Sequence, residues 1–206
     1  MAVVLLARHG ETDWNAERRF QGHADRPLNA RGRAQAEALA ERLAPAPLAA
    51  VYASDLARAR ETAEIVARRH GLPVVTRPDL REVDVGSWSG LTTDEARTRH
   101  PEAFSRWRDE GQPGWSDGET YEEMRARALR AVLEIGAGHA GETVLVVAHG
   151  GTIRALLATA LGMDVHEYRH VRPAEPNGGL SALRVEDGRL AGRLDGDETG
   201  RLLGLA

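Results

Sequence analysis

The sequence predicts a three-layer α/β/α protein, in which helices cover both faces of a mostly parallel central sheet. Two apolar runs, Val3 to Ala7 and Val144 to Ala148, are rich in β-branched residues and are typical of strands buried on both faces. Short apolar runs alternate with segments of helical periodicity, as in strand-helix-strand units. The chain has 206 residues, enough for one such fold, and we expect residues 1–206 to form a single domain.

The first half of the chain contains two further predicted strands. The elements after the first strand are, in order, a polar loop over residues 13–29, a helix from Ala34 to Leu43, a strand from Ala49 to Ala53, a helix ending near His70 and a strand from Val74 to Thr76. Ser54 and Asp55 are good N-cap residues, so we expect the second helix to begin directly after them. Long polar loops over the carboxyl edge of a sheet are usually functional.

The second half begins with the least regular part of the chain. Residues 80–90 predict a loop, and residues 92–118, interrupted by Pro101 and Pro113, predict an irregular helical excursion across the top of the sheet. Thr120 starts a capping box and an amphipathic helix, after which the second central strand leads into an Ala/Leu-rich helix. Residues 179–185 and 189–194 predict a hairpin at the sheet edge.

The composition excludes several kinds of chemistry. The chain has no cysteine, which excludes disulfides, thiolate nucleophiles and Cys-ligated zinc or iron–sulfur sites. It also has no lysine, because all 27 basic residues are arginine, and this excludes Schiff-base chemistry and a P-loop lysine. The guanidinium group of arginine suits bidentate recognition of phosphate or carboxylate.

The net charge and the hydropathy pattern indicate which partners and which cellular compartment to expect. The net charge of −4 argues against a nucleic-acid partner, and no apolar run approaches the length of a membrane span. The N-terminus lacks the pattern of a signal peptide, so we expect a cytoplasmic protein without a membrane partner. The oligomeric state is left open, with a homodimer as the candidate assembly.

The two central strands both end in His-Gly. Arg8 and His9 follow the first strand and His149 follows the other, so neighbouring parallel strands would bring these residues to the same edge of the sheet. Arg58, in the first turn of a third strand-helix unit, can reach that edge. The two arginines are positively charged and the two histidines can take up a proton. A bound dianion would relieve the repulsion among these groups, and a phosphoryl group is the natural ligand. The helix after Gly150 could add backbone N–H donors.

These residues and several others resemble the histidine phosphatase superfamily, which includes cofactor-dependent phosphoglycerate mutases and many small phosphatases. The matching segments run in order over residues 3 to about 185: Arg8-His9-Gly10-Glu11-Thr12 with Asn15, Gln21-Gly22, Asp25-Arg26-Pro27-Leu28, Ser54 to Ala59, Leu80-Arg81-Glu82, Gly86 to Gly90 and Val146 to Gly151. Single segments of this kind are weak signals, but this order and spacing is highly specific.

The resemblance implies a role for each matching residue. His9 is the expected nucleophile, which becomes phosphohistidine, and Glu82 is the expected proton donor to the leaving oxygen. Arg8, Arg58 and His149 would form the rest of the catalytic phosphate pocket. The expected substrate-binding residues are Asn15, Gln21, Gly22 and Gly150. The resemblance implies no metal and no cofactor, and a small phosphorylated metabolite as the substrate.

The segment after Glu82 bears on the choice between phosphatase and mutase. In the mutases the corresponding glutamate is followed by Arg-His-Tyr-Gly and later by a substrate-binding lysine, whereas this chain continues Val83-Asp84-Val85-Gly86 and has no lysine. We therefore predict a phosphatase, with a mutase as the alternative. Arg99, Arg106, Trp107 and Arg108 are candidates for the substrate's far end, although solvated surface residues are the favoured interpretation.

Three other functions fit parts of the sequence. His9, His149 and Glu82 could form a 2-His-1-carboxylate metal site, but two neighbouring arginines disfavour a cation. Residues 166–170 read His-Glu-Tyr-Arg-His and match the zinc-protease motif, although no third ligand follows closely and we expect surface histidines at the start of a loop. A binding module for phosphorylated ligands is the third alternative, and it would have no need for a nucleophile beside an acid.

Overall fold

The computed structural model describes residues 1–172, 174–194 and 198–200, in which six strands form one sheet. The strands are β1 (Ala2–Arg8), β2 (Leu48–Ala53), β3 (Val74–Thr76), β4 (Thr143–Ala148), β5 (Leu180–Glu186) and β6 (Arg189–Arg193). Their order in the sheet is β3-β2-β4-β1-β5-β6. The pairs among β1 to β4 are parallel, whereas β5 runs antiparallel to both β1 and β6. The predicted mostly parallel sheet and its edge hairpin are confirmed.

Strands β1 and β4 lie side by side at the centre of the sheet. Their parallel register pairs Arg8 with Ala148, so the two chains leave the sheet at the same level. All of β4 and all but the last residue of β1 are buried, as their apolar runs predict. Because neither strand has a polar face, layers of helix must cover the sheet on both sides.

Helices in the described part of the chain cover both faces of the sheet, and two further helices over residues 93–110 form a separate cap. In chain order the helices are α1 (Asp13–Ala16), α2 (Ala30–Leu43), α3 (Ala57–His70), α4 (Thr93–Arg99), α5 (Pro101–Glu110), α6 (Tyr121–Gly138), α7 (Gly150–Ala160) and α8 (Val165–Val171). Helices α2 and α3 pack on the face presented by Leu5 and Leu145, and α6 and α7 on the face presented by Leu6 and Val146. The three-layer prediction is thereby confirmed.

Two local predictions in the first half are wrong. Helix α3 begins at Ala57, not directly after Asp55, and Leu56 at its N-cap provides no side-chain hydrogen bond. Asp55 instead binds Arg81 through both carboxylate oxygens, and Asp25 accepts a 2.6 Å hydrogen bond from the Ala57 N–H. A cap from a distant loop cannot be found by local sequence rules. The predicted loop over residues 13–29 also contains helix α1, which starts at a capping box between Thr12 and Asn15.

The excursion over residues 92–118 contains α4 and α5 and packs on its own apolar cluster. Trp88 is fully buried at the centre of that cluster, where Phe104 and Trp115 lie against it. Pro101 opens α5, where proline is tolerated because the first turn of a helix has no partner for its N–H groups. The side chains of Arg99, Arg106 and Arg108 are exposed, as the favoured interpretation predicts.

No helix in the described part of the chain is both long enough and apolar enough to span a bilayer.

Candidate active site

The carboxyl edge of the sheet carries a cavity of about 210 Å³. Most of the predicted site residues line it, namely Arg8, His9, Asn15, Gln21, Gly22, Arg58 and Glu82. His149 lies beside them, with its ring centroid 5.1 Å from that of His9, as expected from the shared register of β1 and β4. Gly150 does not line the cavity. It lies behind the Arg8 guanidinium, where a Cβ atom would approach to 3.3 Å.

The hydrogen bond of the His9 ring determines which nitrogen is free. Its Nδ1 lies 2.7 Å from the carbonyl oxygen of Gly10. A carbonyl can only accept, so Nδ1 carries the proton and donates it. In the neutral imidazole Nε2 is then left with an unshared electron pair. The backbone of the next residue therefore holds His9 in the tautomer that a nucleophile at Nε2 requires.

Both histidines are held in the neutral form. Burial, followed by the positive charges of Arg58 and Arg8, holds the pKa of His9 well below its ordinary value of 6.5. Burial and Arg58 lower the pKa of His149 in the same way. Both ring nitrogens of His149 are buried and have no hydrogen-bond partner among the described residues. Such a group is costly unless a ligand supplies the missing partner.

We expect these two histidines to make the unliganded protein less stable in mild acid. Below pH 6.5 the unfolded chain takes up protons that the folded protein excludes, so the free energy of unfolding falls by about 1.4 kcal/mol per pH unit for each histidine. Urea unfolding in phosphate-free buffer from about pH 7.5 to about pH 5.5 measures this slope. The double variant His9→Asn, His149→Gln should lose it, and an unchanged slope would contradict the assignment.

Two arginines place positive charge in the cavity, and neither forms a salt bridge with a carboxylate among the described residues. Arg58 is 1% exposed, and it donates from Nη1 to the carbonyl of Ala24 and from Nη2 to that of Gly22. Burial lowers its pKa to about 10, so its guanidinium stays charged at neutral pH. Arg8 donates from Nη1 to the carbonyl of Glu175. The Nε groups of both arginines are buried without a partner in the described residues, which leaves their charge available to an anion.

Loop residues after β1 also line the cavity. The side-chain oxygen of Asn15 accepts from the N–H of Thr12, and that of Gln21 accepts from the Thr12 hydroxyl at 2.9 Å. These contacts orient both amides, so that their NH₂ groups remain available as donors. Gly22 has a φ of +50°, and a Cβ atom there would collide with Val85. Glycine is thus required for the carbonyl that binds Arg58.

Glu82 also lines the cavity and is held by two backbone N–H groups. Its Oε1 accepts from Val83 at 3.0 Å and its Oε2 accepts from Gly151 at 2.9 Å. A Cβ atom at Gly151 would collide with the carboxylate. The N-terminus of α7 was expected to offer N–H donors to a phosphate, but this N–H group binds Glu82 and orients it.

Arg127 on α6 fixes the backbone that carries Glu82, and sequence reasoning missed it. Its guanidinium donates to the carbonyl oxygens of Asp79, Arg81 and Glu82 at 2.7–2.9 Å. Two further bonds to the Glu119 carboxylate hold the guanidinium itself. Since these partners lie up to 48 residues away, no local pattern identifies them.

Arg127→Met is expected to destabilise the protein and to displace Glu82. We expect the free energy of unfolding to fall by about 2–4 kcal/mol, because three partly buried carbonyls and Glu119 lose their partner. At temperatures where the variant is folded, kcat should fall at least about tenfold while KM changes less, since Arg8 and Arg58 stay in place. Urea unfolding and steady-state kinetics measure both effects. Arg130→Met, an exposed change on the same helix, is the control; equal effects of the two variants would refute this positioning role.

The structure adds further residues to the site. Asn177 donates from Nδ2 to the His9 carbonyl at 2.9 Å and so holds the strand end from the opposite side. Arg19, Tyr121 and Arg154 also line the cavity. Of these added residues, only Arg154 could have been identified from the sequence. It lies four residues after Gly150, on the same face of a helix that starts at the site.

The zinc-protease motif lies outside the site. His166 and His170 are on helix α8, not at the start of a loop, so that prediction is wrong. Their Nε2 atoms are 3.2 Å apart, and Nε2 of His166 also lies 3.1 Å from the carbonyl of Asp109. That Nε2 must therefore carry a proton and is not free to bind a metal. No group of three or more potential metal ligands occurs in the described residues.

Comparison with known proteins identifies the class to which this fold and site belong. The model of the histidine phosphatase superfamily (branch 1) matches residues 4–196, so the chain belongs to that superfamily. It is 46% identical over 165 residues to "Phosphoglycerate mutase-like protein 4" of Arabidopsis thaliana, covering 77% of this chain and 71% of the relative. It is 43% identical over 159 residues to "Metal-independent phosphoserine phosphatase" of the same plant, covering 74% of this chain and 66% of the relative. The solved structure of "Bacillus stearothermophilus YhfR" superposes with a TM-score of 0.88 at 37% identity, over 95% of this chain and 97% of that one.

Proposed function

We propose that the protein is a metal-independent phosphatase that hydrolyses a small phosphorylated metabolite through a phosphohistidine at His9. The observation that carries this proposal is the free Nε2 of a neutral, buried histidine beside two arginines that have no carboxylate partner in the described part of the chain. Membership of the superfamily and the relative named as a phosphatase support the same reaction. We also propose that residues 1–206 act as one domain in the cytoplasm; a homodimer remains the candidate assembly.

The first half of the proposed reaction forms the phosphohistidine. Arg8, Arg58 and His149 bind the phosphoryl oxygens, with Asn15 and Gln21 supplementing them. Nε2 of His9 attacks phosphorus, the N–P bond forms and the P–O bond to the alcohol breaks. Charge on the phosphoryl oxygens is stabilised by arginines whose orientation is already fixed by backbone carbonyls. The protonated Glu82 carboxyl gives its proton to the leaving oxygen.

The second half of the reaction returns His9 to its starting state. The Glu82 carboxylate accepts a proton from water as the water oxygen attacks phosphorus. The N–P bond breaks, inorganic phosphate forms, and Nε2 recovers its electron pair. One carboxyl group thus serves as acid and then as base, and its two backbone hydrogen bonds hold it in one place for both steps.

Phosphate release from p-nitrophenyl phosphate in excess EDTA tests this function. We expect activity to survive EDTA, because every proposed role is filled by a side chain or a backbone group. Loss of activity in EDTA would favour a metal mechanism. A parallel assay with 3-phosphoglycerate separates the alternatives, since conversion to 2-phosphoglycerate would indicate a mutase and release of phosphate a phosphatase.

A further inference from the structure

His23 lies between the parts of the chain that hold Arg58 and Glu82. It belongs to the loop between α1 and α2 and does not line the phosphate cavity. Its side chain is 31% exposed and lies against the segment that carries Glu82. The proposed reaction gives this histidine no role, although the residues on both sides of it bind Arg58.

The His23 ring binds the backbone of Glu82. Its Nε2 lies 2.9 Å from the Glu82 carbonyl oxygen. Because a carbonyl can only accept, Nε2 carries a proton and donates it. The same oxygen accepts from Nη2 of Arg127 at 2.8 Å, so both of its lone pairs are used. The peptide group that follows the acid is therefore held from the loop as well as from α6.

The other nitrogen of the His23 ring faces the residue two positions further along. Its Nδ1 lies 3.7 Å from Oδ2 of Asp84, a contact that is a salt bridge when the ring is protonated. The other carboxylate oxygen of Asp84 accepts from the N–H of Gly86 at 3.0 Å. His23 thus contacts the chain on both sides of Val83, whose N–H group binds the Glu82 carboxylate.

The turn that contains His23 supports Arg58. The carbonyls of Gly22 and Ala24 accept from Nη2 and Nη1 of Arg58, at 2.9 Å and 2.8 Å. The Ala24 N–H donates to the carbonyl of Gln21 at 2.9 Å and closes a four-residue turn around His23. Because both carbonyls belong to neighbours of His23 in the chain, the position of the Arg58 guanidinium and that of the His23 ring depend on the same turn.

We propose that His23 is a positioning residue that couples the phosphate-binding Arg58 to the general acid Glu82. This inference rests on the proposed phosphatase function and gives two groups with different tasks a common support. Arg58 binds the phosphoryl oxygens, whereas Glu82 must lie within hydrogen-bond reach of the leaving oxygen. A misplacement of about 1 Å in such a group can slow a reaction by roughly 10²-fold.

Two simpler roles for His23 lead to different expectations. A surface histidine without a role could be replaced with no effect on the kinetics. A histidine that only stabilised the fold would, on replacement, lower activity equally for every substrate. Coupling instead changes both the dependence on the leaving group and the affinity for phosphate, in a protein that remains folded.

Two aryl phosphates of similar shape test the effect on Glu82. Phenolate is a poorer leaving group than p-nitrophenolate and depends more on the proton from the acid. His23→Leu should lower kcat/KM for phenyl phosphate at least about fivefold more than kcat/KM for p-nitrophenyl phosphate. His23→Gln, whose side-chain amide can place an N–H group near the position of Nε2, should keep the ratio within about twofold of the wild-type value.

Competitive inhibition by inorganic phosphate tests the effect on Arg58. The inhibition constant should rise at least about threefold in His23→Leu, because the carbonyls of the turn no longer hold the guanidinium in one place. Arg127→Met removes the support of Glu82 from α6 and leaves the turn intact. It should therefore change the dependence on the leaving group while altering the inhibition constant less than about twofold.

His170→Leu is the matched control, since it makes the same replacement at an exposed position on α8. It should change neither quantity, and circular dichroism checks that each variant is folded. A wild-type ratio of the two esters in His23→Leu, or a wild-type inhibition constant, would overturn the coupling while hydrolysis of p-nitrophenyl phosphate upheld the phosphatase. Equal effects of His23→Gln and His23→Leu would also overturn it. Absence of phosphate release by the wild-type protein would overturn both proposals.

Discussion

His9→Ala is expected to abolish phosphatase activity, with a loss of at least about 10³-fold in kcat/KM for p-nitrophenyl phosphate. The reason is that His149, the nearest other imidazole, has its ring centroid 5.1 Å away from that of His9 and cannot replace it without moving a buried side chain. Steady-state kinetics in EDTA measure the loss. When the reaction with phosphate-labelled substrate is quenched rapidly, the wild-type protein should carry an acid-labile label, as expected of a phosphohistidine. The variant should carry none.

The control for this prediction is His170→Ala. His170 is exposed on α8 and belongs to the zinc-protease motif, so its replacement should leave kcat/KM unchanged. Loss of activity in His170→Ala together with full activity in His9→Ala would reverse our assignment of the site. Substantial activity in both variants would exclude a phosphohistidine at His9 and leave direct attack by water as the mechanism to examine.

Glu82→Gln is expected to affect alkyl phosphates far more than aryl phosphates. An alkoxide is a poor leaving group and needs a proton as the P–O bond breaks, whereas p-nitrophenolate leaves without one. We therefore expect kcat/KM to fall about 10²–10³-fold for alkyl esters and less than about tenfold for p-nitrophenyl phosphate. The limiting kcat should fall for p-nitrophenyl phosphate as well, because hydrolysis of the phosphohistidine is common to both esters and also uses Glu82.

Gly151→Ala provides a second route to the same result. Its Cβ atom would collide with the Glu82 carboxylate and displace it without removing the acid. It should produce the same dependence on the leaving group, to a smaller degree, while Glu64→Gln on the exposed face of α3 should have no effect. An equal loss of kcat/KM for alkyl and aryl esters in Glu82→Gln would contradict the role of Glu82 as the acid.

Much of the fold follows from periodicity along the chain. The predicted strands near Val3 and Val144 and the helix after Thr120 are confirmed, because burial on both faces and a capping box each leave a local pattern. The start of α3 was misplaced, since its first N–H group is bound by Asp25 from a loop 32 residues away. Local rules fail wherever the partner comes from another part of the chain.

The residues of the site likewise divide into those that sequence motifs predict and those that they do not. The order of the motifs around His9, Glu82 and His149 predicted which residues would gather at one edge of the sheet, and the register of β1 and β4 gives the reason. The contributions of Arg127 and Asn177 had no local signal, because each acts by binding a backbone carbonyl far away in sequence. Their type alone, an arginine and an asparagine among many, indicates nothing about such a contact.

The sequence by itself determined the α/β class and the two buried strands with their polar ends. The residues at those ends also indicated the superfamily. Only the tertiary structure decided which nitrogen of His9 is free, how Glu82 is held, and that Arg154 lines a cavity with its Nε unpartnered among the described residues. The physical reason is the range of the interactions. Burial patterns and caps are set within one element, whereas tautomers, carboxylate orientation and unpaired charge depend on groups that packing brings together from distant segments.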